Sequence, residues 1–417
     1  MSQRIAILGA GPIGLEAALY ASQLGYKVEI FEQGEVGANM LDWGHVRLFT
    51  RFKMNHSSLG VISIKRESPN WQEPDGEGYL TGREFVDSYL VPLSQLSALK
   101  KKINTGMKVV SIGRENILKG ELIGDPERTS YPFRILTENS AGQEQVHTAD
   151  IIIDSTGVYN NPNWLGDGGI PALGELKNKP FINYQMPDVY GKDRSKFAGK
   201  KSLLMGAGYS AATVVCDFQN LIREEPATSL IWAIRGSRSQ PIPLIQDDPL
   251  PSRAALTKQA NSISQDAAEN IQFRNNTIVD SIEYFENKNA FSVGLKSNRH
   301  LEKVEVDRVI ATVGYGPDNS IYRELQIHEC YASRGPMKLA AALLGASSAD
   351  CLAQESAGAD TLKNPEPNFF IIGNKSYGRN PTFLIRMGLS QIVEVFSLIS
   401  GDEKLNLYQT ESEGAVA

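Results

Sequence analysis

Two short glycine-rich segments hold the bare backbone best suited to chemistry. The first, Gly9-Ala10-Gly11-Pro12-Ile13-Gly14, follows the apolar run Arg4 to Leu8 and opens a stretch of good helix formers, Leu15 to Leu24, stopped at Gly25. A second apolar run, Lys27 to Phe31, is closed by Glu32, with Gln33 beside it. A G-x-G-x-x-G that follows a strand, opens a helix and has an acid about 20 residues on predicts a dinucleotide site. Gly9 allows the tight turn, Gly11 lets backbone approach a pyrophosphate, and Gly14 lets helix and strand pack closely. Free N–H groups at the helix start stabilise phosphate, and Glu32 can accept hydrogen bonds from a ribose 2′-hydroxyl.

The same theme returns at Gly206-Ala207-Gly208-Tyr209-Ser210-Ala211, after the strand-like Lys201 to Met205. Ala211 replaces the third glycine and is still small. A helix is expected from Ala212 to Ile222 and a strand from Ser229 to Ile234. That strand ends at Arg235, in the neighbourhood Glu32 holds in the first unit, with Arg238 close by. A carboxylate would repel a 2′-phosphate, whereas guanidinium binds one bidentately, so this site is expected to prefer NADPH over NADH.

The remaining pattern supplies the frame. Lys108 to Ile112 and Tyr131 to Leu136 predict strands of a small meander, and Glu84 to Leu99 an amphipathic helix. Residues 41–82 are irregular. Asp150 to Asp154 predicts a buried strand ending in Ser155-Thr156-Gly157. Arg308 to Val313 ends in Gly314, and Phe369 to Ile372 in Gly373-Asn374, before a helix from about Thr382 to Ile399. Pro-rich Gln240 to Ser252 reads as a loop.

Composition excludes several classes. The chain has 417 residues, enough for two or three domains, and is 41% hydrophobic and 22% charged. A formal charge of −6 argues against nucleic acid as partner. Cys216, Cys330 and Cys351 form no Cys-x-x-Cys, which disfavours a dithiol centre and suggests a reducing, cytoplasmic setting. Its five histidines have no metal-site spacing, so no metal is expected. The apolar Ile5 to Ala21 is interrupted by glycines, Pro12 and Glu16 and does not read as a leader. No stretch approaches the ~20 apolar residues of a membrane span.

Taken together, Gly9 to Gly14 with Glu32, Ser155-Thr156-Gly157, Gly206 to Ala211, Thr312-Val313-Gly314 and Gly373-Asn374 resemble, in order and over roughly residues 4–390, the two-dinucleotide-binding-domain flavoproteins. That superfamily includes thioredoxin reductases and flavin-containing monooxygenases. The resemblance implies an α/β fold of two Rossmann-like domains, the NADPH domain inserted into the FAD domain. The implied boundaries are 1–165 and 308–402 for FAD, 166–307 for NADPH, and 403–417 for a loose polar tail. It also implies that Trp43, Arg47, Val109, Thr156, Gly157, Gly373, Asn374 and Thr382 join the glycine loops in holding cofactor, with Asn55 and Arg47 as candidate catalytic residues.

There are departures. Asn374 stands where the family usually has Asp, and Phe181 to Asp188 lacks the histidine of the monooxygenase signature, although Phe197-Ala198-Gly199-Lys200 and Gly208-Tyr209-Ser210-Ala211 look like that group. The expected function is an FAD-dependent, NADPH-oxidising monooxygenase using molecular oxygen on a small organic substrate. The alternatives are a reductase passing electrons to ferredoxin, a quinone or another acceptor, and a dinucleotide-binding sensor without turnover. Oligomeric state is not readable, a homodimer being one option.

Overall fold

A computed structural model describes residues 2–266, 270–298, 300–345, 352 and 356–409. The chain forms two compact units, Met1–Asn161 with Gly316–Ala417, and Pro162–Tyr315.

The first unit opens with β1 (Arg4–Leu8), α1 (Pro12–Gln23) and β2 (Lys27–Phe31). Ile5 to Leu8 are all buried, because helices and a second sheet cover both faces of the strand; this explains a continuous apolar run in place of alternation. Residues 41–82, irregular by pattern, contain α2 (Ser58–Glu67). Its buried side mixes Leu59, Val61 and Ile64 with Gly60 and Ser63, so no apolar stripe shows. Ser57 caps it, accepting from the Gly60 N–H at 2.8 Å and donating to the buried Glu16 carboxylate of α1 at 2.6 Å.

The helix expected over Glu84 to Leu99 instead runs 82–94 and is widened by a π-helical turn at Val86–Leu90. Pro92 explains the widening. It cannot donate to the carbonyl of Ser88, which accepts the Trp71 indole N–H at 2.8 Å instead. Then come β3 (Ile103–Asn104), the antiparallel meander β4 (Met107–Arg114), β5 (Phe133–Asn139) and β6 (Glu144–Ala149), and β7 (Ile151–Asp154).

In the second unit β8 (Lys201–Met205), α3 (Tyr209–Glu224), β9 (Ser229–Ala233), α4 (Pro251–Gln265) and β10 (Ile271–Arg274) precede three antiparallel strands. These are β11 (Thr277–Phe285), β12 (Ala290–Ser297) and β13 (His300–Val306); β14 (Arg308–Ala311) follows. β14 pairs with β8 in the order β10-β9-β8-β14. The strand assigned from sequence to the returning part of the first domain therefore belongs to the second unit, whose boundaries are Pro162 and Tyr315. Its register with β8, Arg308 to Ser202 through Ala311 to Met205, is the physical reason.

The chain then returns to the first unit through α5 (Met337–Gly345), β15 (Phe369–Ile371) and α6 (Ile385–Ser400). β15 completes a parallel sheet of order β15-β7-β1-β2-β3. The helix expected from Thr382 begins at Ile385, with Leu384 as its cap. The tail is not loose throughout. Leu405, Leu407 and Tyr408 pack on the core beside α1, and the Ser58 hydroxyl donates to the Tyr408 carbonyl at 2.5 Å. Residues 410–417 and Cys351 lie outside the described residues. Among the described residues no helix is long and apolar enough to cross a membrane, and no group of three His, Cys, Asp or Glu is placed to hold a metal.

Candidate functional site

In each unit the chain leaves the first strand of a parallel sheet, turns through glycines into a helix, and pairs the next strand on one side and a later strand on the other. In the first unit β1 lies between β2 and β7; in the second, β8 lies between β9 and β14. Such a switch point, at the carboxyl ends of the strands, is where open α/β sheets bind ligands.

The first loop is shaped by what its glycines lack. Gly9 has φ +96°, and a Cβ there would stand 3.1 Å from the Ser155 carbonyl oxygen; a Cβ on Gly14 would lie 1.9 Å from the Gly9 carbonyl oxygen. At Gly11 a Cβ would meet nothing within 4 Å. That open cradle lies at the cap of α1, whose amino end has no side-chain cap and no acid in its first turn, an arrangement that fits a pyrophosphate. Pro12 takes the first helical position, where its missing N–H costs nothing. Ile13 is buried and packs against Gly373 and Gly388, so its side chain is core.

Glu32 accepts the backbone N–H of Ala10 and that of Gly34, each at 2.8 Å. One bond goes to each carboxylate oxygen, leaving further lone pairs for a ribose hydroxyl. Gln33 is exposed. Trp43 lies half-buried against the Gly82 backbone. Exposed Arg47 donates to the Tyr79 carbonyl and bridges Thr81. Val109 sits in β4, half-buried against the core cluster of Leu8, Phe31 and Ile135.

Asn55 is bonded within its own loop. It is buried, its amide donates to the carbonyls of Thr50 and Arg51 at 3.3 and 3.1 Å, and its oxygen accepts from the Thr50 hydroxyl at 2.9 Å. Both amide hydrogens are bonded within its own loop, which they help to fix. Arg47 is held along the 79–81 segment.

At the far ends of β7 and β15 lies a cluster the sequence pattern did not single out. Asp154 is fully buried and pairs with Lys375, whose ammonium is 2.6 Å away and 2% exposed. The other Asp154 oxygen accepts from the Thr156 backbone N–H at 3.0 Å and its hydroxyl at 2.7 Å, and Lys375 also donates to that hydroxyl oxygen at 3.1 Å. Gly157 follows with φ +70°. The Gly373 N–H donates to the Gln391 side-chain oxygen of α6 at 2.8 Å. Asn374 is half-buried. Thr382 bonds the Asn380 side chain through both its N–H and its hydroxyl.

The second loop repeats the construction. A Cβ on Gly206 would stand 2.3 Å from the Thr312 hydroxyl oxygen; that hydroxyl donates to the Met205 carbonyl at 3.0 Å, as Ser155 does to Leu8 at 2.8 Å in the first unit. Gly208 caps α3 and is open where a Cβ would go, and Ala211 is fully buried. Tyr209 and Ser210 form the first turn, with the Arg253 guanidinium 5.9 Å from the Tyr209 ring centre. Arg235 and Arg238 are exposed just beyond β9. The loop and the two cations fit a phosphorylated dinucleotide.

Residues 4–334 match the family model described as pyridine nucleotide-disulphide oxidoreductase. The chain belongs to that family. Members of this oxidoreductase family use FAD with NAD(P)H. A dihydrolipoyl dehydrogenase of Staphylococcus aureus is 24% identical over 349 residues, 80% of this chain; the match spans only 61% of that relative. Among solved structures, the bacillithiol disulfide reductase Bdr (YpdA) of Bacillus cereus has a TM-score of 0.67 and 17% identity, covering 97% of this chain and all of that one. DfoA, the FAD-bound cadaverine monooxygenase of Erwinia amylovora, has a TM-score of 0.62 and 14% identity, covering 97% of this chain and 95% of its own. At such identities this pyridine nucleotide-disulphide oxidoreductase shares their fold; their substrates differ from one another.

Proposed function

We propose that the protein is an NADPH-oxidising, FAD-dependent monooxygenase of small organic substrates in a reducing, cytoplasmic setting. FAD is assigned to the first unit, on the Gly9–Gly14 loop, Glu32, the Thr156–Gly157 crossing and the Gly373–Asn374 turn. NADPH is assigned to the second, on the Gly206–Ala211 loop with Arg235 and Arg238. When bound, FAD supplies hydride acceptance and the reduction of oxygen.

The cysteines carry the choice against a disulfide reductase. A dithiol relay needs two neighbouring thiols, at least one of them ionisable. Cys216 is buried in α3, where burial pushes its thiol up to about 12, and Cys330 belongs to the other unit. Neither has a second cysteine within a Cys-x-x-Cys spacing. With Cys351 outside the described residues, the sequence spacing of the three cysteines favours an acceptor other than a disulfide of this chain. The protein's own contribution is to hold the two dinucleotides and exclude water.

Oxygen consumption measured beside NADPH oxidation, across sulfides, amines and ketones, tests the assignment. Oxygenated product in proportion to NADPH supports it. NADPH oxidation that needs ferredoxin or a quinone and gives no oxygenated product supports the electron-transferring reductase, which the histidine-free segment 181–188 favours. Flavin left oxidised by NADPH without oxygen supports the sensor.

A further inference from the structure

We propose that Lys375, through its ion pair with Asp154, is a positioning residue that locks the Gly373–Asn374 turn to the Thr156–Gly157 crossing and so presents Asn374 to the flavin cofactor. The inference rests on FAD occupying the first unit.

Two segments far apart in sequence meet at neighbouring strand ends, since Ile371 of β15 stands opposite Asp154 of β7. Lys375 meets three groups at once: the Asp154 carboxylate, the Thr156 hydroxyl at 3.1 Å, and the face of Tyr322, whose ring centre lies 5.0 Å from the ammonium. Burying both ions gains little over an apolar pair of similar volume, so stability alone does not call for a lysine here. What the pair adds is direction. The ammonium fixes the turn on its strand side, while Gln391 of α6 holds the Gly373 N–H and donates to the Ser376 hydroxyl at 2.9 Å on the helix side. Between these two anchors the Asn374 side chain makes no hydrogen bond to the described residues. The residues on either side of it are anchored, and its amide is left to a ligand.

The test is a double-mutant cycle read as FAD affinity, by titrating flavin-stripped protein, beside the melting temperature of the same stripped protein. Lys375→Met and Asn374→Ala are each expected to raise the dissociation constant for FAD about tenfold, with the pair little worse than the weaker single variant. A pair that multiplies the two losses, to about a hundredfold, would show Lys375 acting independently of Asn374 and overturn the inference. Unchanged FAD affinity with only a lower melting temperature would also overturn it, as a purely structural role. If Lys375→Met does not fold, Asp154→Asn/Lys375→Gln removes both charges, keeps a hydrogen bond, and takes its place in the cycle. Wild-type protein that takes up no FAD overturns the assignment of the first unit itself; wild-type uptake matched by every variant overturns this inference alone.

Discussion

Glu32 accepts the backbone N–H of Ala10 at 2.8 Å, so the acid that closes β2 is tied into the glycine loop leaving β1. The carboxylate thereby holds the loop's shape before any ribose arrives. Loop geometry and the proposed ribose contact are linked through one side chain, and the glycines around it can be tested separately.

Gly11 and Gly14 are glycines for different reasons, and alanine separates them. Gly14→Ala drives a methyl into the Gly9 carbonyl and is expected to destabilise the stripped protein by about 3 kcal/mol. Gly11→Ala meets no protein atom and is expected to leave that stability within about 0.5 kcal/mol of wild type while weakening FAD binding. Denaturant melts beside flavin titrations check both.

Arg235→Ala is expected to raise the apparent KM for NADPH at least about tenfold while changing that for NADH little, because a charge-assisted bond to the 2′-phosphate is lost. Steady-state kinetics with both nucleotides give the answer. Equal changes would remove the basis for assigning NADPH to the second unit.

Asn55→Ala is expected to cost about 1–3 kcal/mol of stability, by freeing buried carbonyls at Thr50 and Arg51, with the rate of flavin reduction unchanged. Chemical denaturation and anaerobic stopped-flow reduction measure the two effects. A large fall in reduction rate at normal stability would instead support a catalytic role.

Burial, with like charge on Asp188, pushes the Asp217 carboxyl up to about 7. The folded protein keeps a proton that the unfolded chain releases near pH 4. Stability from this group is therefore full below about pH 4 and is lost as pH rises through about 7. Asp217→Asn, which mimics the protonated form, is expected to melt about 5 °C above wild type at pH 8 and level with it at pH 4. Thermal melts at the two pH values decide it.

Both glycine loops were legible because tight turn, close backbone approach and helix packing each demand a small residue at a fixed place, and the strands before them are apolar where they enter the loop, at Ile5 to Leu8 and Leu203 to Met205. Strand β11 was not. A bulge between Val279 and Ser281 breaks its alternation, so Val279 and Ile282 share a core without sharing a period of two. The meander β4–β6 was only partly legible, β6 having an exposed, polar start. The pairing of Lys375 with Asp154 was invisible for another reason: they are 221 residues apart, and neither residue type alone points to the other. In the same way Asn55 was legible as a residue type, whereas its three bonds within the loop were not.

Pro162 and Tyr315 face each other as an isolated bridge, and just outside them the Gly316 N–H donates to the Asn161 carbonyl at 3.0 Å. Entry and exit of the second unit thus run side by side, and the first unit closes over the interruption with its own hydrogen bond. Splicing out residues 162–315 for a two- or three-residue turn would leave that seam intact, and the excised piece, with neighbouring ends, suits expression as a free-standing cassette or a circular permutant.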